Sequence, residues 1–344
     1  MYSIIIPTCN RASLLALTLE SIAVAVKPDD PVEIIIVDNG SRDKTAKTCS
    51  GIKEKFPRHD WRYFYDSMPG LLTGRHRGAN EARGEILCYL DDDVLVGPGW
   101  LHSLTEAFQD GQVALVGGPS SPKYEIEPPM WVNGLWSEFE GGRSCGPLSL
   151  INLGPSIKPT SSLLIWGLNF SIRKSVLQDC GGFHPDCIPK VLQRYQGDGE
   201  TGLSLKIEAA ADLRVIYHPM VAVIHVIPGS RLTPEYFEQR AFYQGVCDSY
   251  TQIRRDRAVP LPRKASWKDL LRPSKWRLER KMLLRNLTAE SVRRLMTRAH
   301  FEGMEFHRNE VRLDPKLLEW VLRDNYFEYG LPDGWEAYLK SRAA

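Results

Sequence analysis

The 344-residue chain predicts an α/β fold built on a doubly wound, mostly parallel sheet flanked by helices. Two observations favour this class. Strand and helix signals alternate over residues 2–118, which is the βαβ order of parallel sheets. The first two strand signals, "YSIIIPT" and "VEIIIVDNG", are continuous β-branched runs rather than alternating ones. Such runs are typical of parallel strands that are covered on both faces.

The remaining elements of this half follow in order. Asn10 is predicted to cap a first helix, whose apolar residues recur at i, i+4 and i+7. A second helix follows "VDNGS", "WRYFYD" predicts a third strand, and "TGRHRGANEARG" predicts a short polar helix. A strand over 84–90, a helix near 99–109 and the strand "VALVGG" complete the sheet signals of this half.

The second half is less regular. Residues 119–160 are rich in Pro, Gly, Ser and Trp and show little periodicity, which is typical of a long binding loop. "LRVIYHPMVAVIHV" predicts the last strands, and helices are expected from Pro234 onward, since proline suits a first helical position. We therefore expect one domain over 1–230, with halves 1–118 and 119–230, and a helical extension over 231–344.

Composition and charge limit the class of protein, the cellular location and the partners to be expected. The apolar content of 43% is that of a soluble globular protein, and no window contains the roughly 18 apolar residues that span a bilayer. The start of the chain does not resemble a signal peptide, and the seven cysteines form no framework, so we expect a cytoplasmic location. Residues 251–300 hold fifteen Lys and Arg against four Asp and Glu. This excess predicts either a solvated helical face or contact with an anionic partner such as the inner face of a membrane.

Three polar clusters mark the predicted functional edge of the sheet. "PTCNR" follows the first strand, "VDNGS" the second, and Asp91, Asp92 and Asp93 the fourth. Because ligands of open α/β sheets bind at the carboxyl ends of the strands, these clusters should converge. A divalent cation, Mn²⁺ or Mg²⁺, would offset the aspartate charges, and its affinity for phosphate oxygens points to a nucleoside diphosphate. The alternative is that the aspartates only solubilise a loop or cap a helix.

The first strand is followed by neither GxGxxG nor a Walker lysine. This argues against a dinucleotide-dependent dehydrogenase and against a P-loop enzyme.

Six blocks of the sequence resemble, in order and spacing, those of family 2 glycosyltransferases. They are "SIIIPTCNR", "EIIIVDNGSRDKT", "GRHRGANEARGEILCYLDDDV", "WGLNFSIRKSVL", "GDGETGLSLKI" and "HVIPGSRLTPEYFEQRAFYQG". The resemblance covers residues 2–245. It implies a GT-A fold for the domain over 1–230, a nucleotide-sugar donor, a divalent metal and transfer with inversion at the anomeric carbon.

The resemblance also implies roles for individual positions. Asp93 and His225 would bind the metal. The remaining positions would contact the nucleotide sugar, from the nucleobase loop through the ribose and diphosphate to the donor sugar: Pro7, Thr8, Asn10, Arg11, Asp38, Arg75, Asp91, Asp92, Trp166, Asn169 and Arg231. Of the aspartates, Asp91 would face the ribose.

The chain departs from the family pattern at the catalytic acids. Relatives usually carry an adjacent Glu-Asp pair, whereas here Gly199 separates Asp198 from Glu200. Alignment of the downstream leucines assigns Glu200 as the catalytic base, with Asp198 contacting the acceptor or steering the base. Alignment of Gly197 would assign Asp198 instead. Both acids could also simply cap the helix that follows.

The implied function is inverting transfer of a sugar from a nucleoside-diphosphate sugar, with UDP favoured, to a glycan or lipid-linked acceptor in polysaccharide, lipopolysaccharide or glycolipid assembly. Two alternatives stay open: a catalytically silent nucleotide-sugar-binding protein, and a nucleotidylyltransferase. Nucleic acid is not expected as a partner, because no DNA- or RNA-binding motif accompanies Trp267 and Trp276 in the basic stretch.

Overall fold

The computed structural model describes residues 1–261, 287–327 and 335. These residues form two compact units. Unit 1 comprises Met1–Lys123, Glu138–Ile227 and the described part of Arg323–Ala344; unit 2 comprises Tyr124–Ser137 and the described part of Pro228–Leu322.

The described strands, numbered along the chain, are β1 (Tyr2–Thr8), β2 (Val32–Asp38), β3 (Asp60–Tyr65), β4 (Ile86–Leu90), β5 (Val94–Val96), β6 (Val113–Gly117), β7 (Ser120–Tyr124), β8 (Ser137–Phe139), β9 (Gly142–Cys145), β10 (Leu150–Asn152), β11 (Lys158–Pro159), β12 (Asn169–Arg173), β13 (Arg214–Tyr217) and β14 (Val223–Ile227). The described α-helices are α1 (Ala12–Ala25), α2 (Thr45–Lys55), α3 (Leu71–Glu81), α4 (Trp100–Ala107), α5 (Met130–Asn133), α6 (Lys174–Asp179), α7 (Glu200–Ala209), α8 (Pro234–Asp256), α9 (Ala289–Leu313) and α10 (Pro315–Val321).

An eight-stranded sheet in the order β11-β13-β6-β12-β4-β1-β2-β3 forms the centre of unit 1. Strands β1 to β4 are mutually parallel where they pair, and β13 is parallel to β6. Strand β12 runs antiparallel to both β4 and β6. The amino end of β12 therefore lies at the same edge as the carboxyl ends of β1, β2 and β4, which brings Asn169 opposite Leu90.

Both faces of this sheet are covered, as the continuous β-branched runs predict. Ile4 and Ile6 of β1 point into one apolar cluster and Ile5 into another, and all three are fully buried. Helix α1 supplies Leu15 and Leu19 to the first cluster. The predicted α/β class with a mostly parallel central sheet is confirmed.

Two expectations from the sequence are wrong. Residues 119–160 are not a structureless loop: they contain β7 to β11, and a second sheet has the order β5-β14-β7-β10-β9-β8. Asn10 does not cap α1, because the N-cap position is Arg11 and makes no side-chain bond. Asn10 instead has a φ of 55°, and its Oδ1 accepts the backbone N–H of Arg42 at 2.7 Å.

A buried carboxylate that the sequence reasoning missed joins the first strands. Glu33 of β2 is fully buried and accepts bonds from the Ser3 hydroxyl at 2.6 Å and from Arg62 at 2.6 Å. Arg83 adds its backbone N–H at 2.5 Å and its Nε at 2.9 Å. Burial alone would raise the pKa of Glu33, but these donors outweigh it and lower the pKa to about 2.

Unit 2 contains the long helices α8 and α9. Helix α8 begins at Pro234, as predicted, and the Thr233 hydroxyl accepts the N–H of Tyr236 at 3.3 Å. No helix among the described residues is long and apolar enough to span a membrane. Residues 262–286, which hold much of the basic stretch together with Trp267 and Trp276, lie outside the described residues.

Candidate active site

The ends of β1, β2 and β4 meet at one edge of the central sheet. Thr8 ends β1 and is paired in register with Asp38, which ends β2. The Thr8 hydroxyl donates to Asp92 Oδ2 at 2.7 Å, which ties the end of β1 to the segment after β4. The polar clusters that follow β1 and β4 therefore converge, as expected for parallel strands.

Arg11 bridges two of the three adjacent aspartates. Its Nη1 lies 2.7 Å from Asp92 Oδ1 and its Nη2 lies 2.6 Å from Asp93 Oδ2. The Asp92 and Asp93 side chains are only 5% and 1% exposed, so the interpretation of these residues as loop solubilisers is wrong. Nor do they cap α4, whose N-cap is Gly99 without a side-chain bond. Burial raises the pKa of Asp92 to about 7, although Arg11 opposes that rise.

Asp91 completes the triplet. Burial raises its pKa, and the negative charge of Asp93 adds to that rise, while Arg75 works in the opposite direction. At this edge of the sheet, burial and the proximity of the carboxyls to one another therefore raise the pKa of both Asp91 and Asp92, although Arg75 and Arg11 oppose that rise.

Asp93 also meets a histidine from the second sheet. His225 of β14 is buried, and its Nε2 lies 3.3 Å from Asp93 Oδ2. Its Nδ1 lies 2.9 Å from the carbonyl oxygen of Leu148, so Nδ1 carries a proton and donates that bond. A histidine oriented by such a bond, facing a carboxylate, has the chemistry of a metal ligand. Among residues 1–261, 287–327 and 335, however, no three His, Cys, Asp or Glu side chains converge in a metal-binding arrangement.

Asp38 ends β2 and accepts hydrogen bonds on both carboxylate oxygens. It is buried, its Oδ1 accepts the N–H of Ser41 at 2.7 Å, and its Oδ2 accepts the hydroxyl of Tyr63 at 2.7 Å. Sequence reasoning missed Tyr63, although the predicted strand "WRYFYD" contained it. Burial and the neighbouring Asp38 raise the pKa of Tyr63, which keeps its hydroxyl a donor. Pro7, one residue before the end of β1, is buried.

Glu200, at the start of α7, is held by two donors from distant parts of the chain. Its Oε2 accepts Arg75 Nη1 at 3.2 Å and its Oε1 accepts the N–H of Gly167 at 3.0 Å. Arg75 is 3% exposed and stacks on Phe183, with 4.7 Å between the guanidinium carbon and the ring centroid. A Cβ at position 167 would overlap Arg75 Nη2, so any residue larger than glycine there would displace the guanidinium.

The environment of Glu200 favours its ionised form. Burial by itself would raise the pKa of this carboxylate, but the charge of Arg75 and the N–H of Gly167 outweigh burial and lower the pKa. The side chain is 26% exposed. Glu200 is therefore an accessible carboxylate that is ionised at neutral pH and can accept a proton.

Asp198 has a different environment. Its side chain is 1% exposed, and its Oδ1 lies 2.7 Å from Nδ1 of the equally buried His184. Neither acid is the N-cap of α7, because Gly199, with a φ of 58°, occupies that position and Glu200 lies in the first turn of the helix.

Three further candidate residues lie in contrasting surroundings. Asn169 is buried, donates to the carbonyl of Val221 at 2.7 Å and accepts Trp100 Nε1 at 3.2 Å. Trp166 is half-buried and donates to the carbonyl of Leu163 at 3.1 Å. Arg231 belongs to unit 2, where its guanidinium carbon lies 6.0 Å from the ring centroid of Tyr236.

Two solved structures of glycosyltransferases are similar in fold to this chain. The chain resembles the mannosyltransferase PcManGT from Pyrobaculum calidifontis, solved in complex with GDP-Man and Mn²⁺, with a TM-score of 0.52 and 18% identity over 99% of this chain and 85% of that one. It also resembles GalNAc-T7, solved with UDP, GalNAc and Mn²⁺, with a TM-score of 0.52 and 18% identity over 92% of this chain and 57% of that one, just over half its length. The fold is therefore the GT-A glycosyltransferase fold, as the resemblance predicted.

The sequence comparison identifies the family. The family model described as glycosyl transferase family 2 matches residues 3–180, and the chain belongs to this family. A curated relative, the glucosyl-dolichyl phosphate glucuronosyltransferase of Haloferax volcanii, is 23% identical over 231 residues, which are 66% of this chain and 69% of that protein. Two further curated relatives are matched over only 25% and 12% of their own lengths. Glycosyl transfer is thus the class of activity of this protein.

Proposed function

We propose that this protein is a metal-dependent, inverting glycosyltransferase that moves a sugar from a nucleoside-diphosphate sugar to a hydroxyl group of a glycan or lipid-linked acceptor. Three names support the proposal: the relative in Haloferax volcanii acts on a dolichyl phosphate sugar, and the two solved structures hold GDP-Man or UDP, each with Mn²⁺. We favour a UDP-sugar as donor, as the resemblance to family 2 glycosyltransferases implies.

The observation that carries the proposal is the state of Glu200. An acceptor hydroxyl is a weak nucleophile near neutral pH, so a carboxylate must take its proton as it attacks the sugar. Glu200 is ionised, partly exposed and oriented by two donors, Arg75 and the N–H of Gly167. Asp198 is buried against His184. We therefore assign Glu200 as the base and Asp198 as a residue that supports it.

Asp93 and His225 are the side chains that would hold the divalent cation. A carboxylate oxygen together with an imidazole nitrogen suits Mn²⁺, and a site with few protein ligands leaves positions for diphosphate oxygens. When bound, the cation would supply Lewis-acid stabilisation of the charge that develops on the leaving diphosphate. Arg231 is our further candidate for that stabilisation.

The segment around β1 and β2 would bind the nucleoside. We assign the loop of Pro7, Thr8, Asn10 and Arg11 to the nucleobase, with Asp38 on the base or ribose. Further along the donor we assign Asp91 to the ribose, Arg75 to the diphosphate side, and Trp166 with Asn169 to the sugar and acceptor side. Asp92 is assigned to the nucleotide-sugar site as a whole.

Inversion follows from a single displacement. One base on the face opposite the leaving group is sufficient for it, and the proposal assigns no second carboxylate as a covalent nucleophile.

Donor hydrolysis with a panel of nucleotide sugars tests the proposal. We would compare the wild type with Glu200→Gln, Asp198→Asn and the matched control Glu54→Gln, whose residue is exposed on α2. We expect slow release of one nucleoside diphosphate that requires Mn²⁺ or Mg²⁺ and stops with EDTA. Glu200→Gln should lose about 100-fold or more of the rate while binding donor normally, and Glu54→Gln should match the wild type.

Calorimetric binding of the same donors separates the remaining outcomes. Binding without turnover, even with candidate acceptors added, would favour the silent nucleotide-sugar-binding protein. A wild type that binds no nucleotide sugar would refute the proposal. Full activity in Glu200→Gln with loss in Asp198→Asn would transfer the role of base to Asp198.

A further inference from the structure

A short segment late in the chain packs behind the candidate base. This segment, residues 324–327 of unit 1, follows α10 and is anchored by backbone bonds. The N–H of Tyr326 donates to the carbonyl of Gly181 at 2.8 Å. Lys206 of α7 donates to the carbonyl of Asp324 at 2.6 Å and to that of Cys180 at 2.6 Å. A side chain at position 181 would overlap the Asp324 carbonyl oxygen, so glycine permits this close approach.

The two aromatic residues of segment 324–327 cover two buried histidines. Phe327 stacks on His76, with 4.2 Å between ring centroids and 22° between ring planes. The ring of Tyr326, which is fully buried, lies 5.1 Å from that of His184. Both histidines are less than a tenth exposed, so the segment closes their surroundings on one side.

His76 connects this segment to Arg75. It is the next residue in α3, and its Nε2 accepts the backbone N–H of Phe183 at 2.9 Å. Burial lowers the pKa of His76 to about 3, so the ring is neutral and can accept that bond. Phe183 in turn is the ring on which the Arg75 guanidinium stacks, and Arg75 holds Glu200.

His184 connects the segment to the other side of Glu200. Its backbone N–H donates to the carbonyl of Gly199 at 3.0 Å, and its Nδ1 lies 2.7 Å from Asp198 Oδ1. A side chain at position 202, in the first turn of α7, would overlap the His184 ring. Contacts with His184 therefore fix the positions of Asp198 and Gly199, the two residues that precede Glu200.

We propose that Tyr326 and Phe327 are positioning residues for catalysis: through His184 and His76 they fix the backbone before Glu200 and the arginine that orients its carboxylate. This inference rests on the proposed function, in which Glu200 is the base. It extends the catalytic machinery to a segment more than 120 residues further along the chain, to which the sequence motifs assign no role.

Substitutions at Phe327 test the inference in the full-length chain. Phe327→Ala removes the stack on His76, Phe327→Leu keeps apolar volume without the ring, and Phe327→Tyr keeps the ring. Phe108→Ala is the matched control, because Phe108 is a buried phenylalanine in the cluster on the opposite face of the sheet. Each variant is compared in unfolding midpoint, in donor affinity by calorimetry and in turnover.

We expect Phe327→Ala and Phe327→Leu to lose about 10- to 100-fold in kcat, because small displacements of a catalytic group are costly, while donor affinity changes less than about threefold. Phe327→Tyr, which keeps the ring, should retain the kcat of the wild type. Phe108→Ala should lose stability yet retain kcat. The inference is overturned if Phe327→Ala and Phe327→Leu both retain kcat, or if they lose it only in proportion to the unfolded fraction of the protein.

A spectroscopic measurement separates this inference from the proposed function. The ¹⁵Nη resonance of Arg75, assigned with Arg75→Lys, reports the Arg75–Glu200 pair whether or not a donor is turned over, because Nη1 makes that contact. Phe327→Ala should shift or broaden this resonance, and Phe108→Ala should leave it in place. An inactive wild type with a resonance that responds to Phe327→Ala would refute the proposed function alone. A resonance that does not respond would refute the positioning role.

Discussion

Replacing Arg11 by methionine should destabilise the ligand-free protein and make its stability depend on a divalent cation. Arg11 is the side chain that bridges Asp92 and Asp93, at 2.7 and 2.6 Å. Methionine keeps much of the length and apolar volume of arginine but removes the charge. The variant would therefore leave two adjacent buried carboxylates without their shared guanidinium.

The burial of the three side chains determines how much stability Arg11→Met should lose. Removal of one partner from a fully buried ion pair costs about 3–5 kcal/mol. The carboxylates here are 5% and 1% exposed, but Arg11 is 29% exposed, so solvent screens part of its interaction. We therefore expect Arg11→Met to lower the free energy of unfolding by about 2–3 kcal/mol.

Denaturant unfolding with and without Mn²⁺ measures this effect. If the cation takes over charge compensation at Asp93, saturation at about 100 times its dissociation constant adds about 2.7 kcal/mol. That gain would restore most of the loss in Arg11→Met. The wild type should gain less, since the cation must there displace the guanidinium from Asp93.

A second arginine provides the control. Arg83 pairs with the buried Glu33 and with Asp60, away from the three adjacent aspartates. Arg83→Met should also destabilise the protein, but Mn²⁺ should not reverse that loss. Equal stability of Arg11→Met and wild type, or equal Mn²⁺ responses of the two arginine variants, would refute the reasoning.

Two further predictions follow from other parts of the fold. In the folded protein the pKa of Glu33 is lowered from an ordinary value near 4.5 to about 2, so its ionised form contributes about 3 kcal/mol to the free energy of unfolding. This contribution is fully present above pH 4.5 and is lost as the pH falls towards 2. Glu33→Gln should be less stable by about that amount at pH 7, and its deficit in urea unfolding should shrink over that acid range; a deficit independent of pH would contradict the linkage. Gly167→Ala should reduce turnover by about tenfold or more, because the added methyl group would displace Arg75. Gly97→Ala is the control and should not reduce turnover, because its methyl group meets open space. Equal turnover in the two variants would count against the role of Arg75.

Local sequence patterns determined the framework of this protein. The runs "YSIIIPT" and "VEIIIVDNG" predicted parallel strands covered on both faces, and Ile4, Ile5 and Ile6 are buried on alternate faces of the sheet. The resemblance of six blocks, in order and spacing, to those of family 2 glycosyltransferases predicted the family. The position of the aspartates directly after an apolar strand was enough to predict that Asp92 and Asp93 approach the residues that follow β1. The inferences about the strands and about the converging aspartates depend on periodicity and chain order, which a sequence displays directly.

Only the tertiary structure decided which polar groups meet. Arg75 and Glu200 lie 125 residues apart, and no local pattern indicates that they pair or that Asp198 turns towards His184. The short strands over 119–160 have two to five residues each, too few for their periodicity to be read. Strands β7 to β10 pair mainly with one another, while β7 also neighbours β14 and β11 pairs with β13, both far along the chain. A buried charge such as Glu33 is stable only where several donors converge on it. That convergence is a property of the folded chain, because it brings together strands, a helix end and a loop whose residues are far apart in sequence.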